Sequence, residues 1–291
     1  MTKETDQEHM AVDSVLEQTL KDIGIPPRPV IIERIAAEMR EDEPNFKVLS
    51  QLISADVGLA AGLIKTANSA YFGARGRVRS VNEALMMLGL NVASRAIAGI
   101  SLRKAFPATA RLERFWNASA QIAALSGWLA QSVGKNQLRA EDAYTYGLFR
   151  DCGIPILLRR FPSYQQTLMR ANNEATCSFS AVELLDFPTD HAMVGCLLAQ
   201  NWWLPEETCL AVRHHHELQA LELHESSPPI ASRRLIALSQ TAEHILQRAT
   251  GASHTCEWQK LGPSCLSLLE ITEEELPAIY DQGAEVLKTV E

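Results

Sequence analysis

The chain has 291 residues, a net charge of −8 and 46% hydrophobic residues. These values are typical of a globular protein with a sizeable core and exclude a disordered or collagen-like chain. The polar, acidic first residues do not fit a signal peptide. The longest uncharged stretch, residues 115–134, contains several Asn, Gln and Ser residues, so we predict a buried helix there and no membrane association. We expect a cytoplasmic protein.

Apolar residues recur at helical spacing along most of the chain, and few segments alternate polar with apolar residues. This pattern predicts an all-α fold. The proline-rich residues 25–29 must interrupt the helices, because proline cannot continue a helix. In the first third we predict helices over residues 12–23, 29–39, 46–53, roughly 57–68, and 91–106.

Helix start and stop signals predict one more helix between residues 68 and 91. Ser80 with Glu83 forms a capping box that starts another helix. Gly89 is expected to end that helix after an apolar run. Between them and the preceding helix lies a loop that contains Arg75, Arg77 and Arg79.

The rest of the chain also has helical periodicity. Ser180 with Glu183 and Asp190 are predicted to cap two helices of this region. Two short helices of the acidic tail should pack back on the body, because they carry many leucines and isoleucines. The remaining helices are predicted over residues 112–133, 140–150, 164–171, 191–202, 205–216 and 233–248.

Cysteine and charge add weaker constraints. Six cysteines form no Cys-x-x-Cys pair, so we expect free thiols in a reducing compartment. Residues 57–114 hold nine Lys/Arg and two Glu, whereas residues 251–291 hold two Lys and eight acids. The asymmetry allows a basic face for an anionic partner. Mutual contact between the two regions, or plain clustering of solvated side chains, is favoured instead.

Three segments carry a family resemblance. They are Ser-Ala-Asp at residues 54–56, Ala-Asn-Ser-Ala-Tyr-Phe-Gly at 67–73, and Ser-Val-Asn-Glu-Ala-Leu-Met-Met-Leu-Gly at 80–89. In this order they closely resemble the signature of the HDOD domain, a bacterial signalling module related to the HD phosphohydrolases. The resemblance extends more loosely over residues 25–216.

The resemblance implies a two-lobe helical HDOD fold, in which an N-terminal helical lobe precedes a degenerate HD-like helical lobe. Pro107 and the small residues after it place the boundary between the lobes. We therefore divide the chain into an N-terminal tail and short helix, an N-terminal lobe, an HD-like lobe and an acidic helical tail. Their bounds are residues 1–24, 25–108, 109–250 and 251–291.

The resemblance also locates the positions at which catalytic HD proteins bind metal. Ala118 stands where the first histidine is expected, and a methyl group cannot bind an ion. Arg150 replaces the histidine of the His-Asp pair, so a permanent cation would lie where a dication should bind. Asp151 is retained, and its alternative role is to pair with Arg150 or to cap the next turn.

The later HD positions survive better. His191, four residues before Gly195, fits the third ligand position, and His214 and His215 fit the family's pair of histidines. The closing aspartate should fall near Gln240. The simple alternative is that these histidines are hydrogen-bonded helix ends and surface groups, with residues 214–216 favourably placed at a helix C-terminus.

Metal-dependent hydrolysis needs a complete ligand shell, so we predict no catalytic residue, no metal and no cofactor. The function implied is a non-catalytic bacterial signalling module, a pseudoenzyme that contacts signalling or regulatory proteins. One alternative is a residual phosphohydrolase that uses Asp151, His191, His214 and His215. Another is a nucleic-acid or cyclic-dinucleotide binder at Arg75, Arg77 and Arg79, which the sequence pI of about 5.6 disfavours. The sequence identifies neither the partner nor the oligomeric state.

Overall fold

The computed structural model describes residues 21–69, 72, 77–133, 138–225, 227–252 and 254–289. Across these residues the chain is all-α with no strand, which confirms the predicted fold class. Of the helix predicted over residues 12–23, only residues 21–23 are described, and they are helical. The rest of that helix lies outside the described residues.

The described part of the N-terminal lobe contains four helices. The capping box before the fourth helix is confirmed: Ser80 accepts a hydrogen bond from the Glu83 N–H at 3.1 Å, and the Glu83 carboxylate accepts one from the Arg79 N–H at 2.8 Å. Asp56 caps the third helix in a similar way. The helices are α1 (Val30–Glu38), α2 (Phe46–Ser54), α3 (Val57–Ala67) and α4 (Val81–Lys104).

Helix α4 is bent at Gly89, which has a φ of +71°. The prediction that the helix ends at Gly89 was therefore half right, because helical geometry resumes immediately and gives one long bent element. The residues before and just after the bend, such as Leu85 and Ile97, belong to the core of the N-terminal lobe. Ala98 and Leu102 instead belong to the large core of the second lobe, so α4 joins the two.

By length and composition alone, α4 could cross a membrane, and the bent pair α2–α3 passes the same test. However, 56% of the apolar window of α4 is buried inside the fold, as expected of a core helix. The uncharged stretch of the second lobe lies mainly in one core helix, whose Ile122 and Leu125 are buried, as predicted.

In the described residues of the second lobe there are nine helices. Asp190 caps the helix that begins at His191 by accepting a hydrogen bond from the Met193 N–H at 2.7 Å, as predicted. The helix predicted to be capped by Ser180 is instead capped by Ser178, which accepts from the Ala181 N–H at 3.2 Å. The helices are α5 (Ala110–Ser132), α6 (Ala140–Phe149), α7 (Gly153–Arg160), α8 (Tyr164–Asn172), α9 (Phe179–Leu184), α10 (His191–Asn201), α11 (Glu206–His214), α12 (Leu218–Leu221) and α13 (Ile230–Thr250).

The acidic tail forms α14 (Glu257–Leu269) and α15 (Leu276–Lys288). Leu261, Cys265 and Leu287 are buried in the core of the second lobe, so the tail packs back on the body as predicted. All six cysteines are free, in agreement with the sequence-based expectation.

Helices α7 and α10 cross at very short range. A Cβ on Gly153 would lie 2.0 Å from the His191 carbonyl oxygen and 2.9 Å from the Gly195 nitrogen. Only a residue without a side chain fits at such a crossing. The crossing brings the turn before α7, which contains Asp151, against the first residue of α10, which is His191.

Candidate metal centre

Four side chains meet inside the second lobe. They are Asp151 after α6, His191 at the start of α10, and His215 and His216 just after α11. Each offers one ligand atom, and the four atoms all lie within 4.8 Å of one another. Histidine nitrogen and carboxylate oxygen are ligands of zinc, iron and manganese, so this cluster is a candidate metal centre.

Every histidine of the cluster is oriented through its other ring nitrogen. Each Nδ1 contacts an acceptor, which leaves the Nε2 atoms to point at one another. The acceptors are Glu183 for His191 at 2.8 Å, the Val212 carbonyl for His215 at 2.8 Å, and Glu257 for His216 at 2.7 Å. Tyr164 donates in turn to Glu183, and Lys260 pairs with Glu257. Carboxylates behind histidines are the usual outer shell of a metal site.

The spacing of the four atoms fits a metal ion. His191 Nε2 lies 3.3 Å from His215 Nε2 and 3.1 Å from His216 Nε2. Asp151 Oδ1 lies 3.2 Å from His215 Nε2 and 3.6 Å from His191 Nε2. A tetrahedral ion with bonds of 2.0–2.1 Å separates its ligand atoms by about 3.3 Å. These four separations therefore fit an ion of the zinc class.

The histidines of the cluster are buried, whereas the Asp151 side chain is 18% exposed. The exposed fractions of His191, His215 and His216 are 0%, 1% and 7%. The Phe179 ring stacks on His216 with centroids 4.5 Å apart. In the described part of the chain, the two best-defined cavities have no wall residue from the cluster.

Arg150 lies on the other side of the Asp151 carboxylate. Its guanidinium donates to Asp151 Oδ2 at 2.9 Å and pairs with Glu243 at 2.9 Å, so the expected Arg150–Asp151 pairing is confirmed. Asp151 Oδ1 faces the histidines instead. Arg150 therefore binds only one oxygen of Asp151, and the other oxygen, Oδ1, remains available as a ligand of the cluster. The expectation that the Arg150 guanidinium lies where a metal ion would bind is therefore not supported.

Burial and neighbouring charge set the protonation of the cluster. Burial opposes a charge on His191, but Glu183 and Asp151 outweigh it and raise its pKa to about 10. Burial and the neighbouring His215 lower the pKa of His216 to about 3, despite Glu257. Burial raises the pKa of Asp151, but Arg150 and the histidines reverse this and hold it well below the usual range.

The histidine pair is shifted by one residue from the sequence-based expectation. His214 was expected in the site, but it is half-exposed and contacts Glu217 at 2.9 Å through Nδ1. His216 takes its place, because α11 ends at His214 and the chain then turns inward. The surface-group interpretation therefore holds for His214 and is wrong for His215 and His216, which are buried.

The other expected positions lie as follows. Ala118 is half-buried on α5 against the large core. Gln240 is buried and donates a hydrogen bond to Glu243 at 3.2 Å. Glu243, one helical turn later, is the acidic residue of α13 near Asp151, because both carboxylates pair with Arg150. Sequence reasoning named His216 only as part of the histidine run and Glu183 only as part of a capping box, and it missed Glu257, which no motif signals.

The arginine loop is only partly described. Arg75 lies outside the described residues, and Arg77 and Arg79 are exposed. Their role in binding nucleic acid or a cyclic dinucleotide stays a prediction.

Comparisons with known proteins agree on the family. The HDOD domain model matches residues 25–218, more than half of the chain. An uncharacterized protein of Treponema pallidum (strain Nichols) is 27% identical over 195 residues. The match covers 67% of this chain and 38% of that protein, so this chain spans well under two thirds of its curated relative.

Solved structures share the fold. An HDOD domain protein with unknown function from Geobacter sulfurreducens has a TM-score of 0.67 at 21% identity, with 95% of this chain and 96% of that chain covered. A "Putative phosphohydrolase" from Shewanella amazonensis SB2B has a TM-score of 0.65 at 21% identity, with 95% and 98% covered. A "Putative signal transduction protein" from Marinobacter aquaeolei VT8 has a TM-score of 0.65 at 20% identity, with 94% and 59% covered.

Proposed function

Because this chain belongs to the HDOD domain family, we propose that it is a non-catalytic signalling module that regulates other proteins by direct contact. The shared fold of the Marinobacter protein, described as a signal transduction protein, supports a signalling role. The expected loss of the first histidine at Ala118 and of the His-Asp histidine at Arg150 supports the absence of catalysis.

The observation that carries the proposal is the burial of the three histidines of the histidine–aspartate cluster. Catalytic metal sites keep an open position for water or substrate, whereas structural sites use four protein ligands. Here four protein donors converge on one point, and the three histidines are almost completely buried. The two best-defined cavities among the described residues have no wall residue from the cluster, so neither admits a phosphodiester to it.

In this proposal Asp151, His191, His215 and His216 hold any bound ion, and the ion acts as a cross-link. It would tie the end of α6 to the start of α10 and to the turn after α11. Such a cross-link would stabilise the second lobe, since an ion that binds only the folded state adds to its stability.

The test uses untagged protein that is assayed for hydrolysis of bis-p-nitrophenyl phosphate and cyclic dinucleotides with added manganese, iron or zinc. We expect no turnover above the metal-containing buffer. In parallel, bound metal is measured by elemental analysis, and thermal unfolding is followed with and without EDTA. A cross-linking ion predicts a lower Tm after chelation.

His216→Ala and His214→Ala form a matched pair of variants for this test. Both remove one histidine of the same run, but only His216 belongs to the cluster. We expect His216→Ala to abolish the EDTA-sensitive part of the Tm and His214→Ala to retain it. Hydrolysis that His216→Ala removes and His214→Ala preserves would overturn the non-catalytic proposal.

A residual metal-dependent phosphohydrolase is the second candidate, and the metal-like spacing of the four donors favours it. In that case the ligands are Asp151, His191, His215 and His216, rather than the set that includes His214. Local opening near Phe179, which stacks on His216, would then be needed to admit substrate. The same hydrolysis assay distinguishes the two candidates.

A further inference from the structure

A large cavity separates the two lobes, away from the histidine–aspartate cluster. Its volume is about 790 Å³. Helices α3 and α4 form one wall, α5 and α6 form the opposite wall, and the end of α15 closes one side. Its main apolar residues are Ile100, Leu102, Trp116, Trp128, Leu148 and Val286.

The cavity has the features of a small-molecule site. Such sites enclose roughly 300–1,000 Å³, lie preferentially between domains, and combine apolar walls with a few polar groups. Space is available here because small residues, Gly62, Gly99 and Ala120, line the facing helices. The walls come from both lobes, so a bound molecule would contact both.

Most polar groups on the wall already have partners. The hydroxyls of Thr66, Ser69 and Ser119 donate to backbone carbonyls of their own helices. The Asn68 amide bonds to the backbone of Val78 through both its oxygen and its nitrogen. Because these groups already make hydrogen bonds within the protein, they need no partner on a ligand, and the body of a ligand should be apolar.

The rim supplies one available charge. Arg103 is engaged by Glu113, and Glu285 pairs with Lys288 at 2.6 Å. Lys65 is exposed on the last turn of α3, and its ammonium makes no ion pair or hydrogen bond with any residue that the structure describes. A cation at the mouth of an apolar cavity favours an anionic group on the ligand.

We propose that the cavity between the lobes binds a small amphipathic anion, with an aliphatic or aromatic body and one carboxylate or similar group. The body lies between Trp116 and Leu148, and the anionic group pairs with Lys65. This inference does not depend on the proposed function, since it concerns a site that shares no residue with the histidine–aspartate cluster.

The probes are dodecanoate, dodecanol and dodecyltrimethylammonium, each used below its micelle-forming concentration. Binding is followed through tryptophan fluorescence, because Trp116 and Trp128 line the cavity. We expect dodecanoate to bind most tightly and the cation least. Ala120→Leu, which fills the space, should abolish binding of dodecanoate and of dodecanol alike.

Lys65→Gln should weaken dodecanoate about three- to fivefold, since a solvent-accessible ion pair contributes up to about 1 kcal/mol. Lys65→Glu should weaken it at least tenfold, and neither change should alter dodecanol binding more than about twofold. Lys47→Gln is the matched control, because Lys47 is exposed on α2 and does not line the cavity. The Lys65 variants alter an exposed side chain, so they test the inference even if Ala120→Leu does not fold.

Equal binding of the three probes, or dodecanoate binding that neither Lys65 variant changes, would overturn the inference. So would the absence of binding by any probe to wild-type protein. Each of these outcomes leaves the hydrolysis and metal tests of the proposed function unaffected.

Discussion

Replacing Gly153 by alanine tests whether the crossing of α7 and α10 builds the histidine–aspartate cluster. The added Cβ would lie 2.0 Å from the His191 carbonyl oxygen and 2.9 Å from the Gly195 nitrogen. Both obstacles are backbone atoms, so no side-chain rotation relieves the contact. The helices must separate at the point where α7 begins, next to Asp151.

The magnitude follows from the overlap. Real Cβ contacts essentially never fall below 3.0 Å, so the His191 carbonyl must retreat by at least 1.0 Å, the difference between 3.0 Å and 2.0 Å. Overpacking that moves backbone costs typically 1–3 kcal/mol, and we expect about 3 kcal/mol here. For a chain of 291 residues that lowers the Tm by roughly 5 °C, because the entropy of unfolding is about 2.1 cal/mol/K per residue.

Urea unfolding and thermal unfolding, both followed by circular dichroism, measure the loss of stability. A titration with Co²⁺, followed by its visible absorption, measures the cluster separately. We expect weaker Co²⁺ binding in Gly153→Ala, because the 3.6 Å separation of His191 Nε2 and Asp151 Oδ1 must widen as the helices part.

Gly99→Ala is the matched control. Gly99 is also helical, but its added Cβ would meet only Leu148 Cδ1, at 3.1 Å, and a side-chain end can move. Because alanine is the better helix former by about 0.5–1 kcal/mol, this change should be close to neutral. If Gly153→Ala is as stable as Gly99→Ala, the close crossing does not exist in solution.

Three further predictions rest on other parts of the second lobe. Arg150→Met leaves two carboxylates buried without their cation, so we expect a loss of about 3–5 kcal/mol in urea unfolding, and a loss below 1 kcal/mol would contradict the buried pairing. Burial and Arg248 lower the pKa of His244 to about 4 in the folded state. As the pH falls from 6.5 to 4, His244 is therefore protonated in the unfolded state before it is protonated in the folded state, and the free energy of unfolding decreases. His244→Gln should remove about 1 kcal/mol of the change in unfolding free energy between pH 7 and pH 5, and an unchanged difference would count against it. In a native thiol assay, Cys177 should react quickly and Cys256 slowly, and the other four cysteines only after denaturation, whereas rapid labelling of all six would contradict their burial.

Much of the fold follows from the sequence because its causes are local. Helix starts at Ser80 and Asp190 depend on a side-chain oxygen and an N–H group three residues away. Apolar spacing then marks which face of each helix is buried. The HDOD resemblance also follows from contiguous residues, and the family match over residues 25–218 confirms it.

The local sequence could not predict which histidines of the run 214–216 belong to the cluster. Successive helical residues point about 100° apart, so a run of three histidines cannot show which of them face inward. The end of α11 at His214 decides it, since His215 and His216 leave the helix and both turn toward the core. Ser178 shows the same limit, because it and Ser180 are both plausible caps by residue type.

The remaining features exist only through contacts between distant parts of the chain. Glu257 orients His216 from 41 residues away, and it lies beyond the part of the chain that the family model covers. Arg150 is held by Asp151 and by Glu243, from α13. The sequence by itself determined the all-α fold, most of the helices, the caps at Ser80 and Asp190, and the family, because short-range hydrogen bonds, periodicity and contiguous motifs set them. The histidine–aspartate cluster and the cavity between the lobes were decided by tertiary packing, which brings together side chains that no local pattern relates.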